Sequence, residues 1–411
     1  MMMQKTFKFL SLFLIVGTVL FVSCRGEDDE LAPPVITPLE PVVPENDSTV
    51  TEGDPTVDDP TIPGNERIKG FFLLNEANMG SNKASIDYFD QKTGKYCQNI
   101  YPYLNPNIAH ELGDVGNDIR IYGNKLYAVI NVSGYVEVMD VNTAKHVNFL
   151  TIPNCRYIVF DKGYAYVSSY NGPVKIEPDA PLGCVVKVDT TNMQEVGRVT
   201  VGYQPEEMVI RDNKLYVANS GGYRVPNYDN TVSVIDLDRF EETKKITVGI
   251  NLHRLELDSD DNIYASSRGD YKSVSSNTYI IGKNDMVSKV MNLPCSEMTA
   301  MGDSIYMYSV EWSHITQKNT ITYAIVNTKT QTVVSRNFIT DGTDKQIVIP
   351  YGIAIHPETR DIYVTDARDY VSPGVLYCFN RHGKRKWSVV TEDIPAHIVF
   401  TKNRLTSLIL D

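Results

Sequence analysis

Hydrophobic residues in this chain fall in short alternating runs, with no long helical stripe among them. The clearest run is Leu215-Tyr216-Val217-Ala218-Asn219, and versions of it recur around Phe72, Tyr127, Tyr166, Tyr264, Tyr306 and Tyr363. Each is followed by a second alternation that closes on a polar turn: Ser85 to Asp90, Val136 to Asp140, Val185 to Asp189, Val232 to Asp236, Thr278 to Lys283, Ile321 to Asn327 and Gly374 to Asn380. The period is two, and β-branched and aromatic residues dominate, so both sets predict strands with at least one buried face. A third run precedes the aromatic one. Pro205 to Asn213 is its model, with counterparts beginning near Asn117, Arg156, His253, Ser296 and Tyr351.

Seven copies of a short-strand unit at spacings of roughly 40 to 57 residues are the signature of a β-propeller, in which the third run forms the innermost strand of each blade. The first aromatic run, entered at Lys69, has no inner strand ahead of it. The missing copy lies at the other end, where Pro395 to Asn403 matches Pro205 to Asn213. The expected fold is therefore all-β: a seven-bladed propeller over residues 68–411, closed by a C-terminal strand that completes the first blade and pairs both open edges.

The N-terminal residues point to location. Lys5 and Lys8 precede an apolar run from Phe9 to Val22, too short for a comfortable membrane span and suited to a signal peptide. Ser23-Cys24 then resembles a bacterial lipobox, so residues 1–24 are expected to be a lipoprotein signal with Cys24 as the lipidated mature N-terminus. Residues 25–67 hold eight prolines, twelve acidic residues and two basic ones, the composition of a disordered or extended acidic tether. Acidic residues directly behind the cysteine also resemble the export signal that sends Bacteroidetes lipoproteins to the outer face of the outer membrane.

Most of the formal charge of −12 belongs to that tether, and the folded part is left near −4. A near-neutral domain without a basic face gives no electrostatic case for nucleic acid. Five cysteines remain after Cys24 (Cys97, Cys155, Cys184, Cys295 and Cys378), an odd number that allows at most two disulfides.

One rim of a propeller gathers the entrances of the inner strands and the loops that follow the aromatic runs. Those loops are long and carry amphipathic rings, the residues that concentrate binding energy. Candidate ligand-binding residues there are Asn75, Glu76, Asn78, Asn131, Tyr170, Tyr223, Tyr228, Arg268, Tyr271, Trp312, Arg368 and Tyr370. The strand entrances offer two neighbouring sets, one with Asn117, Arg156, Glu206, His253, Ser296, Tyr351 and Ala396, the other with Asp118, Tyr157, Glu207, Arg254, Glu297, Gly352 and His397. One set is expected to face the axis, and Arg156 and His253 join the candidates. Catalysis finds little support, since the histidines are dispersed and no nucleophile elbow, phosphate-cradling loop or metal spacing occurs. A metal set of Glu76, Asn219 and Asp366 could be assembled across blades, although nothing in the spacing selects it.

The seven Leu-Tyr-Val-like runs resemble the YncE-like propellers. The opening phrase Phe72 to Ser85, behind a lipoprotein signal and an acidic tether, resembles the BtuG-type surface lipoproteins of Bacteroides. That resemblance implies a non-enzymatic protein on the extracellular side of the outer membrane, with no catalytic cofactor. It would bind cobalamin or a related corrinoid and pass it to a TonB-dependent outer-membrane barrel of the BtuB type. A glycan-binding or adhesion lipoprotein is the alternative, because sugar rings also stack on Tyr and Trp, and a metal-dependent lyase or lactonase is a third.

Overall fold

The computed structural model describes residues 33–40, 66–108, 111–172, 175–176, 178–313, 317–408 and 410. Seven antiparallel sheets form seven propeller blades, with almost no helix. The inner strands of blades 2 to 7 are Gly116–Tyr122, Cys155–Asp161, Pro205–Arg211, Leu252–Leu257, Glu297–Met301 and Pro350–Ile355. Blade 1 takes its inner strand from the other end of the chain: Pro395–Thr401 pairs antiparallel with Gly70–Asn75, with Gly70 opposite Thr401 and Leu74 opposite His397. Each inner strand touches those of its two neighbours, so the ring closes.

The repeated aromatic sits on the second strand of each blade. Phe72, Tyr127, Tyr166, Tyr216, Tyr264 and Tyr363 are buried, sealing one blade against another, while Tyr306 is partly buried. Phe71 packs edge-on against Tyr363 and Phe400, which joins blade 1 to blade 7 at the closure. After the closing strand the chain crosses beneath blades 1 and 2. Leu405, Leu408 and Leu410 enter the core between those blades, and Arg404 pairs with the buried Asp90.

The inner strands share an irregularity that shapes the site. In blades 3, 4, 5 and 7, two consecutive residues at the strand entrance face a single residue of the second strand: Arg156-Tyr157 opposite Ser168, Glu206-Glu207 opposite Ala218, His253-Arg254 opposite Ser266, and Tyr351-Gly352 opposite Thr365. These are β-bulges, which bend a strand and re-aim its side chains. Where the facing residue has a hydroxyl, it accepts the N–H that the bulge frees: Tyr157 to Ser168 at 3.1 Å, Arg254 to Ser266 at 3.0 Å and Gly352 to Thr365 at 2.7 Å.

One expectation changes. Within the stretch read as a disordered tether, Ile36–Pro38 forms a fifth, outermost strand of blade 1, pairing with Lys95–Cys97 while Leu39 packs against the core. Covering an edge lowers its free energy, since unpaired N–H and C=O groups are satisfied. The five cysteines after Cys24 are all buried free thiols, with no disulfide among them. Residues 1–32 and 41–65, including the signal, Cys24 and the rest of the tether, lie outside the described residues.

Candidate functional site

The rim where the inner strands begin opens into a cavity of about 830 Å³. Its wall draws on every blade except blade 4, from Glu76 in blade 1 and Asn117 in blade 2 to Pro350 and Tyr351 in blade 7. The bulges decide what faces it. Asn117, Arg156, His253, Ser296 and Tyr351 from one entrance set line it, and so do Tyr157, Arg254 and His397 from the other. The expectation that a single set faces the axis is corrected, because a bulge cancels strict alternation at these positions.

The floor is a connected polar layer. Arg254 Nη1 donates to the Tyr157 hydroxyl at 2.7 Å, and that hydroxyl lies 3.1 Å from Nε2 of His253. Arg254 also pairs with Glu297, and Arg156 pairs with Glu206 at 3.0 Å. Glu206 accepts the Tyr170 hydroxyl and lies 3.6 Å from Arg268. Across the cavity the Tyr351 hydroxyl donates to Glu76. Burial holds the Glu76 carboxyl above its ordinary range, although Tyr351 and the charges of Arg156, Arg254 and Arg268 oppose the shift. Burial, then the nearby arginines, hold His253 and His397 well below the ordinary imidazole range, so both are neutral near pH 7. Deeper in the axis, Arg120 bridges Asp118 and Glu207. Burial there lifts Glu256 to about 8 and Glu297 to about 7.

Above this floor stands an aromatic rim. Trp312 is 52% exposed and Tyr271 62%, and both line the cavity together with Tyr370. Tyr271 and Tyr370 hold left-handed backbone angles, φ 59° and 65°, which are costly for bulky residues. Two matching loops impose them. Asp270 accepts the backbone N–H groups of Lys272, Ser273 and Val274. Asp369 does the same for Val371 and Ser372. These bonds depress both carboxyls to about 2. Each tyrosine is thus presented from a rigid turn.

Of the residues singled out in the sequence, Glu76, Arg156, His253, Arg268, Tyr271, Trp312 and Tyr370 line the cavity. Asn75 and Asn131 do not. Both are fully buried braces, Asn75 against Ser85 at 3.1 Å and Asn131 against Asn154 and the Cys155 carbonyl at 2.6 and 2.8 Å. Tyr170 is buried outside the cavity wall, its ring under Arg156 and its hydroxyl on Glu206, with Tyr223 packed edge-on against it. Asn78 binds the Tyr370 carbonyl, and Arg368, outside the cavity wall, donates its backbone N–H to Asp366 at 2.9 Å. Tyr228 lines a separate, smaller hollow with Pro226, Ile250 and Asp270. The metal set also separates, since Asn219 is spent on Thr231 and Ser233 and Asp366 on the Val348 and Ile349 N–H groups. Among the described residues no cluster of three or more His, Cys, Asp or Glu side chains has metal-binding geometry. Tyr308 and Ser309 are cavity residues that the sequence reading passed over, because they precede the rim segment that carries Trp312, on the same long strand of blade 6, Ser304–Ser313.

The family model for a domain of unknown function, DUF5074, matches residues 69–401. No curated protein matches the chain. Among solved structures it is similar to a hypothetical selenium-binding protein from Sulfolobus tokodaii, with 11% identity and a TM-score of 0.60 over 84% of this chain and 96% of that one. It is also similar to a quinonprotein alcohol dehydrogenase-like protein from Bacteroides thetaiotaomicron, with 15% identity and a TM-score of 0.54 over 81% of this chain and 78% of that one. At such identities the likeness is one of fold.

Proposed function

The chain belongs to the DUF5074 family, and on this scaffold we propose that it is a surface lipoprotein that captures cobalamin or a related corrinoid in the rim cavity and passes it to a TonB-dependent outer-membrane barrel. The observation that carries the reading is the pairing of a broad cavity of about 830 Å³ with an aromatic rim held by two rigid Asp-anchored turns. A corrinoid is a wide, flat ligand ringed by amide arms. Trp312, Tyr271 and Tyr370 offer it ring faces, and Asn117, Ser296 and Asn319 offer hydrogen bonds. A preformed site loses little entropy on binding, which favours affinity.

Capture without turnover fits the floor. Its imidazoles are held neutral and are weak bases at pH 7, and its arginines and carboxylates are engaged with one another. The tether strand fits delivery toward a membrane. Ile36 lies opposite Cys97 and Pro38 opposite Lys95, so Pro33 leaves blade 1 on the side where the cavity opens. Eight residues separate Cys24 from Pro33, and nine steps of extended chain reach at most about 30 Å. A lipid on Cys24 would therefore hold Pro33 within about that distance of the membrane. Gel filtration of the protein with excess cyanocobalamin tests the capture: the corrin absorbance should travel with the protein, and a colourless protein peak would refute corrinoid binding.

A further inference from the structure

The cavity floor carries more hydrogen-bond donors than its own partners consume. Arg156, Arg254 and Arg268 converge there, and the carboxylates paired with them are Glu206, shared by Arg156 and Arg268, and Glu297. Glu207 also acts on Arg254 and Glu76 on all three guanidinium groups, so the charges of the floor are balanced within it and its capacity for a ligand lies in its donors. At the mouth, Lys272 and Glu311 offset each other in formal charge.

Two donors are also left without acceptors. Arg254 is only 7% exposed, and its Nε–H has no hydrogen-bond partner among the described residues. The Ser309 hydroxyl, also buried, has none either. Both residues line the cavity. An unsatisfied buried donor is costly, and more so when charged, so the floor gains when a ligand brings an acceptor. A charged acceptor gains most, because hydrogen bonds between ionised partners are the strong ones. The neutral imidazoles of His253 and His397 do not repel it.

We propose that the floor of the cavity is a subsite for one singly charged oxyanion of the ligand, a phosphodiester or a carboxylate, held by Arg254, Arg268 and Ser309. This rests on the reading of the cavity as a ligand site and specifies what the ligand must carry. The nucleotide loop of a complete corrinoid supplies a phosphodiester, and an acidic sugar supplies a carboxylate.

The test measures binding of cyanocobalamin and of cobinamide, which lacks the phosphodiester, to the wild type and to Arg268→Gln. In parallel, dimethyl phosphate, glucuronate and glucose are added at millimolar concentration and the shift in Tm is read. Cyanocobalamin should bind at least about tenfold tighter than cobinamide, as expected for a charge-assisted bond of about 1.5 kcal/mol or more. Arg268→Gln should shrink that ratio toward one. Dimethyl phosphate and glucuronate should raise the wild-type Tm, and glucose should not. If neither corrinoid binds but the two oxyanions still raise Tm, the subsite stands and the corrinoid reading falls. Equal affinity for the two corrinoids, with no effect of either oxyanion on Tm, overturns the subsite.

Discussion

Arg254 of blade 5 donates to the hydroxyl of Tyr157 in blade 3 at 2.7 Å, reaching past blade 4 to close the cavity floor. Residues 97 positions apart meet because a bulge turns each of them toward the axis. Replacing Tyr157 by Phe leaves two groups short of a partner, Arg254 Nη1 and His253 Nε2. The variant should lose about 1–3 kcal/mol of stability, the usual cost of leaving buried polar groups unsatisfied. Denaturant unfolding of Tyr157→Phe measures this, and an unchanged midpoint would mean that the floor is not a cooperative network.

Ring closure makes its own prediction. A Cβ at Gly352 would stand 1.9 Å from the carbonyl oxygen of Ala396, in the closing strand. Gly352→Ala must therefore push blade 7 away from blade 1, at a cost of about 1–3 kcal/mol. Leu73→Ala, in the fully buried second strand of blade 1, should cost about 2–5 kcal/mol. Thermal unfolding with a single lowered midpoint in both variants is the expected outcome.

The axial carboxyls predict a pH effect. Burial lifts Glu256 to about 8 in the folded protein, so between its ordinary pKa and 8 the folded state holds a proton that the unfolded state releases. Its contribution to stability therefore falls as pH rises through that window. Glu256→Gln removes this loss, so its stability relative to wild type should rise from pH 5 to pH 8 by at most about 1.4 kcal/mol per pH unit. A difference that stays flat with pH would show that Glu256 remains ionised in the fold.

The five buried cysteines should be silent. Burial raises the thiols of Cys97, Cys155, Cys184, Cys295 and Cys378, which suppresses the reactive thiolate. The native protein should leave all five unmodified by a thiol reagent over hours, and unfolding in denaturant should release them together. Fast reaction of any one in the native state would place it at a mobile surface.

Much of this architecture was legible in the chain. The inner strands stand out because each apolar run keeps a period of two, and the match between Pro395 to Asn403 and Pro205 to Asn213 discloses the closure. The bulges were hidden, because an extra residue at a strand entrance leaves no trace in hydrophobicity. The Ser or Thr at positions 168, 266 and 365, which accepts the freed N–H, is their only local mark. Asn75 and Asn131 read as rim polars, yet each satisfies buried groups that periodicity does not reveal. The Ile36–Pro38 strand escaped notice because three residues amid prolines and acids have little strand propensity of their own, and pairing with Lys95–Cys97 supplies the stabilisation.

The aromatic rim and the floor beneath it are proposed to hold a corrinoid. Calorimetric titration with cyanocobalamin, run on the wild type and on Trp312→Ala/Tyr271→Ala, is the deciding experiment. Both side chains are largely exposed, so the double variant should unfold within about 0.5 kcal/mol of the wild type. The account predicts tight one-to-one binding by the wild type and at least a roughly tenfold loss of affinity in the double variant. No heat with the wild type, or equal affinity in both proteins, would contradict it.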